Sequence, residues 1–286
     1  MTDPERHGQP RILAALLVLF SALPFSLLLG ILLSFVAFGV ATDFEGDLDA
    51  MAEVETWMED LSPLEFLLLF ILPAQALVAA MAVLPAALAR EPFARRLGFV
   101  RPRIAWRWLP VFCLGSLFAA GLGELLAGAV FDEPSAHIER ISALIVEPEG
   151  LVGLLMIFSL SVVPGFCEEL LYRGYVQHRL QKRWTAPLAI GLPGLIFALA
   201  HMDPMHVLGV LPLGLWFGFV GWGTRSVVPP MVCHAVSNAI AVLVARTLAD
   251  ADEEVLAAVG APLTAMALPA FVVSCVVLVR GRLTRP

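Results

Sequence analysis

Residues 150–173 read GLVGLLMIFSLSVVPGFCEELLYR. The first eighteen of these residues carry no charge, and the run then meets two adjacent glutamates, Glu168 and Glu169, and Arg173 one helical turn later. An uncharged apolar run of this length is close to the ~20 residues that cross the hydrocarbon core of a bilayer as a helix. Charged side chains at membrane depth are costly, so they are the first place to look for a functional site.

The rest of the chain has the same apolar character. Of 286 residues, 59% are hydrophobic and only 15% are charged, and the mean hydropathy is +0.85. Ordinary soluble domains carry about 25% charged residues, so a soluble fold is excluded. Because lipid leaves helices and closed barrels as the only spanning structures, and these runs do not alternate in polarity, the sequence predicts an all-α polytopic helical bundle of about eight spans. The other seven apolar runs are residues 12–41, 64–89, 108–131, 186–202, 205–223, 227–245 and 262–279.

The charges are segregated between alternate connections. Nearly all of the 18 lysines and arginines fall on one set of connections, and clusters of acidic residues fall on the other. By the positive-inside rule, the basic connections and both termini are predicted to be cytoplasmic. The basic segments are residues 6–11, 90–107, 173–183, 225 and 280–285, and the acidic ones are residues 43–60, 132–149 and 250–254.

Spacing suggests different roles for the two glutamates. Glu169 and Arg173 form an i,i+4 pair with the acid on the N-terminal side, which is the favourable orientation on a helix. Glu168 points about 100° away on the helix and is then left without a partner. A carboxylate in that situation is suited to act as a general base. The alternative is that both glutamates simply brace Arg173 at a helix end.

Further polar residues reach the same depth from other spans. The fourth and fifth spans, at residues 150–167 and 186–202, are predicted to form an antiparallel hairpin. This hairpin carries Glu168 and His201 to one level about 15 Å inside the cytoplasmic surface. His234 is on the seventh span, at residues 227–245, and its predicted depth is about 14 Å inside the membrane from the turn at Arg225. Asn238 follows His234 by one helical turn and shares its face, so it can orient the imidazole or contact the same water. Because Glu168, His201 and His234 are predicted to lie at the same depth, we expect them to form one site.

The residues after His201 predict irregular backbone. The sequence Met202-Asp203-Pro204-Met205-His206 interrupts the apolar pattern at a point that should still lie at membrane depth. Such backbone is tolerated only inside protein or beside a water-filled cavity, and a cavity here would bring water to Glu168. Glu124, Asp203 and His206 are weaker candidates for its lining.

These motifs together resemble the CPBP family of intramembrane proteases, which includes the type II CAAX prenyl endopeptidases and bacterial bacteriocin-processing and immunity proteins. The resemblance covers about residues 150–248 and implies an eight-helix membrane endopeptidase. It implies that Glu168 and His201 activate a water, that His234 and Asn238 stabilise the oxyanion, and that Glu169 and Arg173 support them. The motifs are Glu168-Glu169-x-x-x-Arg173, Phe197-x-x-x-His201 and His234-x-x-x-Asn238, in this order on successive spans.

A metal-dependent mechanism is the alternative for this site. A zinc mechanism has also been attached to the family, and Glu168, His201 and His234 are the side chains that could bind Zn²⁺. The sequence has no HExxH motif, and zinc would occupy the one carboxylate that is available as a base. We therefore expect a reaction that requires no cofactor, with zinc as the second possibility.

The sequence predicts a single membrane domain over residues 1–286. Residues 1–149 hold spans 1–3, residues 150–248 form a catalytic core of spans 4–7, and residues 249–286 hold an outer loop and span 8. The expected partners are the lipid bilayer and a membrane-anchored peptide or protein substrate, with no nucleic acid. The single lysine and the bias toward Arg, Ala and Leu favour a bacterial cell membrane. The competing functions are a transporter, and an immunity or scaffold protein without catalytic activity.

Overall fold

The computed structural model describes residues 12–42, 50–249 and 251–283, and it is 83% helical with no strand among those residues. This confirms the all-α class. The described residues form ten helices, besides a single turn at Phe93–Arg96. They are α1 (Ile12–Thr42), α2 (Ala50–Glu59), α3 (Pro63–Ala87), α4 (Trp106–Gly128), α5 (Ala136–Val146), α6 (Gly150–Leu180), α7 (Ala186–Leu199), α8 (Pro204–Thr224), α9 (Val228–Thr247) and α10 (Glu253–Leu283).

Seven of these helices (α1, α3, α4, α6, α8, α9 and α10) are long and apolar enough to cross a membrane. The chain is therefore a multi-pass membrane protein. The remaining predicted span, span 5 at residues 186–202, corresponds to α7, an apolar helix of only 14 residues. The terminal residues 1–11 and 284–286, on which the prediction of cytoplasmic termini partly rests, lie outside the described residues.

The chain breaks between α7 and α8 where the sequence predicts irregular backbone. Met202 has a positive φ of 61°, which ends the preceding helix. Asp203 then caps α8, because its carboxylate accepts a hydrogen bond of 2.8 Å from the backbone N–H of His206. A capping carboxylate satisfies a backbone donor that the first turn of a helix leaves free, and Pro204 at the next position suits a helix start.

Glycines allow the central helices to pack closely. A Cβ atom added to Gly165 of α6 would lie 2.8 Å from the backbone nitrogen of Ala235 in α9. A Cβ on Gly123 of α4 would overlap the carbonyl of Gly209 in α8. Small residues at crossings let helices associate in lipid, where hydrophobic attraction between helices is absent. The contact at Gly165 brings the middle of α6 against the middle of α9.

The spanning helix α6 changes its winding just after the two glutamates. Residues Leu170–Gln177 form a π-helical segment, and they are all buried. A shorter π segment, Leu67–Ile71, occurs in α3. Wide π turns are rare in proteins and frequently mark functional sites.

Candidate active site

Glu169 is the centre of a buried charged cluster. Its side chain is 0% exposed, and its Oε1 atom accepts a hydrogen bond of 2.7 Å from Nη1 of Arg173. The i,i+4 ion pair that the spacing predicts is therefore present. The same oxygen lies 3.0 Å from Nδ1 of His234 on α9. One carboxylate thus joins two helices and holds two basic groups.

Arg173 is held in place by further contacts. Its Nη2 atom donates a hydrogen bond of 2.5 Å to the carbonyl of Gly214 in α8. Its guanidinium carbon lies 4.8 Å from the centre of the Phe197 ring, within the range of a cation–π interaction. Because the guanidinium is planar and always charged, these contacts fix both its position and its orientation.

Glu168 has a partner that the sequence analysis missed. Nε2 of Gln75, in α3, donates a hydrogen bond of 2.7 Å to Oε1 of Glu168. The prediction that Glu168 lacks a partner is therefore wrong. The signal was available, because Gln75 is an uncharged polar residue in the middle of an apolar span, and such residues usually hydrogen-bond across helices.

His201 is oriented by the helix that it follows. Its Nδ1 atom lies 3.1 Å from the carbonyl oxygen of Phe197. Since a carbonyl only accepts, the proton of a neutral His201 ring is on Nδ1 and the lone pair is on Nε2. The centre of the Phe197 ring lies 5.3 Å from that of His201 and 5.7 Å from that of His234. The structure therefore brings the two histidines to one site.

His234 is buried between aromatic rings. It is 4% exposed, and its ring stacks on Phe217 with centroids 4.7 Å apart and planes inclined by 17°. The ring of Phe197 meets it edge-on at 5.7 Å. With Nδ1 directed at Glu169, only Nε2 of His234 can reach a substrate. Glu169 therefore orients this ring.

Asn238 is placed one turn further along α9. Its amide nitrogen donates a hydrogen bond of 3.2 Å to the carbonyl of Leu160 in α6. An amide nitrogen carries two protons, so one donor remains after this bond. This bond links α9 to α6, and a role of Asn238 toward the imidazole of His234 or a shared water stays a prediction.

The alternative zinc ligands are poorly arranged for a metal ion. In the part of the chain that the structure describes, no three His, Cys, Asp or Glu side chains form a group that could hold one. Glu168 is bonded to Gln75, and one of the two ring nitrogens of His234 is directed at Glu169. The set Glu168, His201 and His234 therefore does not fit zinc in this conformation, and we assign it no role that requires a metal.

The fold and the buried cluster define a polytopic helical membrane protein with a site of glutamate and histidine side chains inside it. Residues 150–240 match the family model described as type II CAAX prenyl endopeptidase Rce1-like, a domain that contains every candidate from Glu168 to Asn238. The resemblance to the CPBP family of intramembrane proteases is thereby confirmed for this segment. No curated protein and no solved structure matches the chain.

Proposed function

We propose that this protein is an intramembrane endopeptidase that hydrolyses a peptide bond of a membrane-associated substrate with a water activated by Glu168 and His201. The proposal rests on the observation that two adjacent carboxylates, Glu168 and Glu169, have different partners. Glu169 is neutralised by Arg173, whereas Glu168 accepts a hydrogen bond from the neutral amide of Gln75. Because Glu169 is engaged in its ion pair, Glu168 is the carboxylate of the two that can serve as a general base.

The two acceptors at the site suit one water molecule. Glu168 and Nε2 of His201 both accept hydrogen bonds, and water has two O–H groups to donate. A water bound in this way directs its lone pairs at the carbonyl carbon of the substrate. As the C–O bond forms, Glu168 takes the proton from water. It then gives that proton to the amine nitrogen as the C–N bond breaks, acting as base and then acid.

His234 and the remaining donor of Asn238 would stabilise the oxyanion of the tetrahedral intermediate. Nε2 of His234 donates only when the ring carries both protons, because Nδ1 already faces the Glu169 carboxylate at 3.0 Å and that carboxylate only accepts hydrogen bonds. In that state, two carboxylates balance one imidazolium and one guanidinium. Preorganised donors of this kind in a site shielded from water contribute strongly to catalysis.

We infer that the protein acts in a bacterial cell membrane, because its composition has one lysine among many arginines, alanines and leucines. Prenylated proteins are mainly eukaryotic, so we expect the substrate to lack a prenyl group. The division into spans 1–3, a catalytic core at residues 150–248 and a last span belongs to the same proposal.

The test compares wild type with Glu168→Gln and His201→Ala in proteoliposomes that contain bacterial membrane proteins. New N-termini are measured by mass spectrometry after N-terminal labelling. We expect Glu168→Gln to lower the cleavage rate by roughly 10²–10⁴-fold. The matched control is Glu147→Gln, which makes the same chemical change at an exposed position.

Two results would overturn parts of the proposal. Cleavage at the wild-type rate in both Glu168→Gln and His201→Ala would show that the site is elsewhere or that the cleavage is not this protein's. Loss of cleavage with a chelator, restored by Zn²⁺, would replace the metal-free mechanism with the zinc alternative.

A further inference from the structure

A cavity of about 800 Å³ lies between α4, α8, α9 and α10. Apart from Ile138 of α5, its lining comes from the second halves of α4 and α9 and from the first halves of α8 and α10. Because these spans alternate in direction, all four halves lie on the same, predicted outer, side of the membrane. The cavity is mostly apolar. It is distinct from the space around Glu168, His201 and His234, none of which line it.

The cavity adjoins the candidate active site through two side chains. Asn238 and His206 both line it. The ring of His206 lies edge-on to the ring of His201, with centroids 4.4 Å apart. Asn238 also bonds to α6, the helix that carries Glu168. A chain that occupies the cavity therefore passes directly beside the groups that we assign to catalysis.

Three glycines in the cavity wall have open space at the position where a side chain would begin. Gly121, Gly209 and Gly260 come from three helices and all line the cavity. A Cβ atom added to any of them would meet no atom of the described chain within 4 Å. Glycine is among the weakest helix formers, so it usually occurs inside a helix for a packing or functional reason. Gly123 has a packing reason, but these three widen the cavity.

We propose that this cavity binds an extended, apolar peptide segment of the substrate, adjacent to the bond that is cleaved. The inference rests on the proposed function and names the class of substrate. The cavity follows α4 from Leu117 to Ala127, a rise of about 15 Å. That distance accommodates about four residues of extended chain. An apolar segment matches the mostly apolar walls of the cavity and its position inside the membrane.

Polar groups in the wall favour a peptide over a hydrocarbon chain. Glu124, Ser237 and Thr264 line the cavity together with Asn238. The N–H and C=O groups of an extended peptide need partners inside a membrane, and these side chains provide them. A hydrocarbon chain would use none of them, although polar side chains are costly at this depth.

The test measures binding without cleavage. Protein carrying Glu168→Gln is placed in lipid nanodiscs with a synthetic peptide of leucine and alanine that contains one photoreactive phenylalanine analogue. Gly209→Leu and Gly121→Leu each fill part of the cavity. The control is Gly30→Leu on α1, where an added Cβ also meets no described atom within 4 Å and which does not line the cavity.

We expect photolabelling to fall roughly tenfold in each cavity-filling variant, a change of about 1.4 kcal/mol, and to stay at the parent level in Gly30→Leu. Equal labelling of all variants would overturn the proposal. Protection by excess fatty acid or isoprenoid alcohol, with no protection by unlabelled peptide, would also overturn it in favour of a hydrocarbon ligand. Melting temperatures confirm that each variant is folded.

The photolabelling experiment does not require the protein to cleave a substrate. If wild type cleaves no membrane protein but the labelling pattern holds, the proposed function fails while the peptide-binding cavity stands. If cleavage depends on Glu168 but labelling ignores the glycine variants, the cavity proposal fails alone.

Discussion

Replacing Arg173 by methionine should destabilise the protein strongly because it leaves a buried carboxylate uncompensated. The side chains of Arg173 and Glu169 are 1% and 0% exposed. Removing one partner of a buried ion pair typically costs about 3–5 kcal/mol. The variant also removes the donor to the Gly214 carbonyl, while His234 remains as a partial partner for Glu169. We therefore expect a loss of about 3–5 kcal/mol in the free energy of unfolding.

The double variant Glu169→Gln with Arg173→Met separates charge from packing. It removes both charges together, and replacement of a whole buried pair is often close to neutral. We expect a loss of only about 1–2 kcal/mol, from hydrogen bonds that are not replaced. Reversible unfolding in bicelles, followed by steric trapping or SDS titration, measures all corners of this cycle.

An exposed ion pair provides the control for this cycle. Nζ of Lys182 lies 3.9 Å from Glu91, and both side chains are about one-third exposed or more. Lys182→Met should change the free energy of unfolding by less than about 1 kcal/mol. The reasoning is refuted if Arg173→Met costs no more than Lys182→Met, or if the single and double variants at the buried pair are equally unstable.

Three other changes test separate parts of the structure. Gln75→Leu removes the donor that holds Glu168 and should lower kcat about tenfold, since one hydrogen bond to a charged group contributes about 1.5 kcal/mol; an unchanged kcat would contradict this role. Gly165→Leu forces α6 and α9 apart and should destabilise by about 1–3 kcal/mol, whereas Gly191→Leu, with open space at its Cβ, should not; equal melting temperatures would argue against the close contact. Asp203→Ala removes the cap of α8 and should cost about 1 kcal/mol with faster amide exchange in the first turn, and unaltered exchange would count against the cap.

Local spacing was sufficient to predict some of the site. Glu169 and Arg173 are four residues apart on one helix, so their ion pair depends only on helical geometry. Their bond to His234 could not be predicted in the same way, because it depends on how α6 and α9 pack against each other. The hydrogen bond from Gln75 to Glu168 spans 93 residues, and no local rule connects those positions.

The apolar runs predicted where helices lie but not how they are wound. The π-helical segment Leu170–Gln177 has the sequence LLYRGYVQ and lies just beyond the uncharged run at residues 150–167, and no residue type in it distinguishes π winding from α winding. The run at residues 186–202 suggested a complete span, whereas α7 ends at Leu199. The chain turns at Met202 after the end of α7, and the positive φ of Met202 is a backbone property that hydropathy does not record.

The shortness of α7 has a consequence for the surrounding bilayer. Its 14 residues rise only about 21 Å, compared with a hydrocarbon thickness of about 30 Å. Met202, just beyond its end, is 56% exposed. Because non-helical backbone is tolerated at membrane depth only within protein or beside water, we expect the bilayer to be thinner beside the end of α7. Such local thinning would let water approach His201 from the membrane surface.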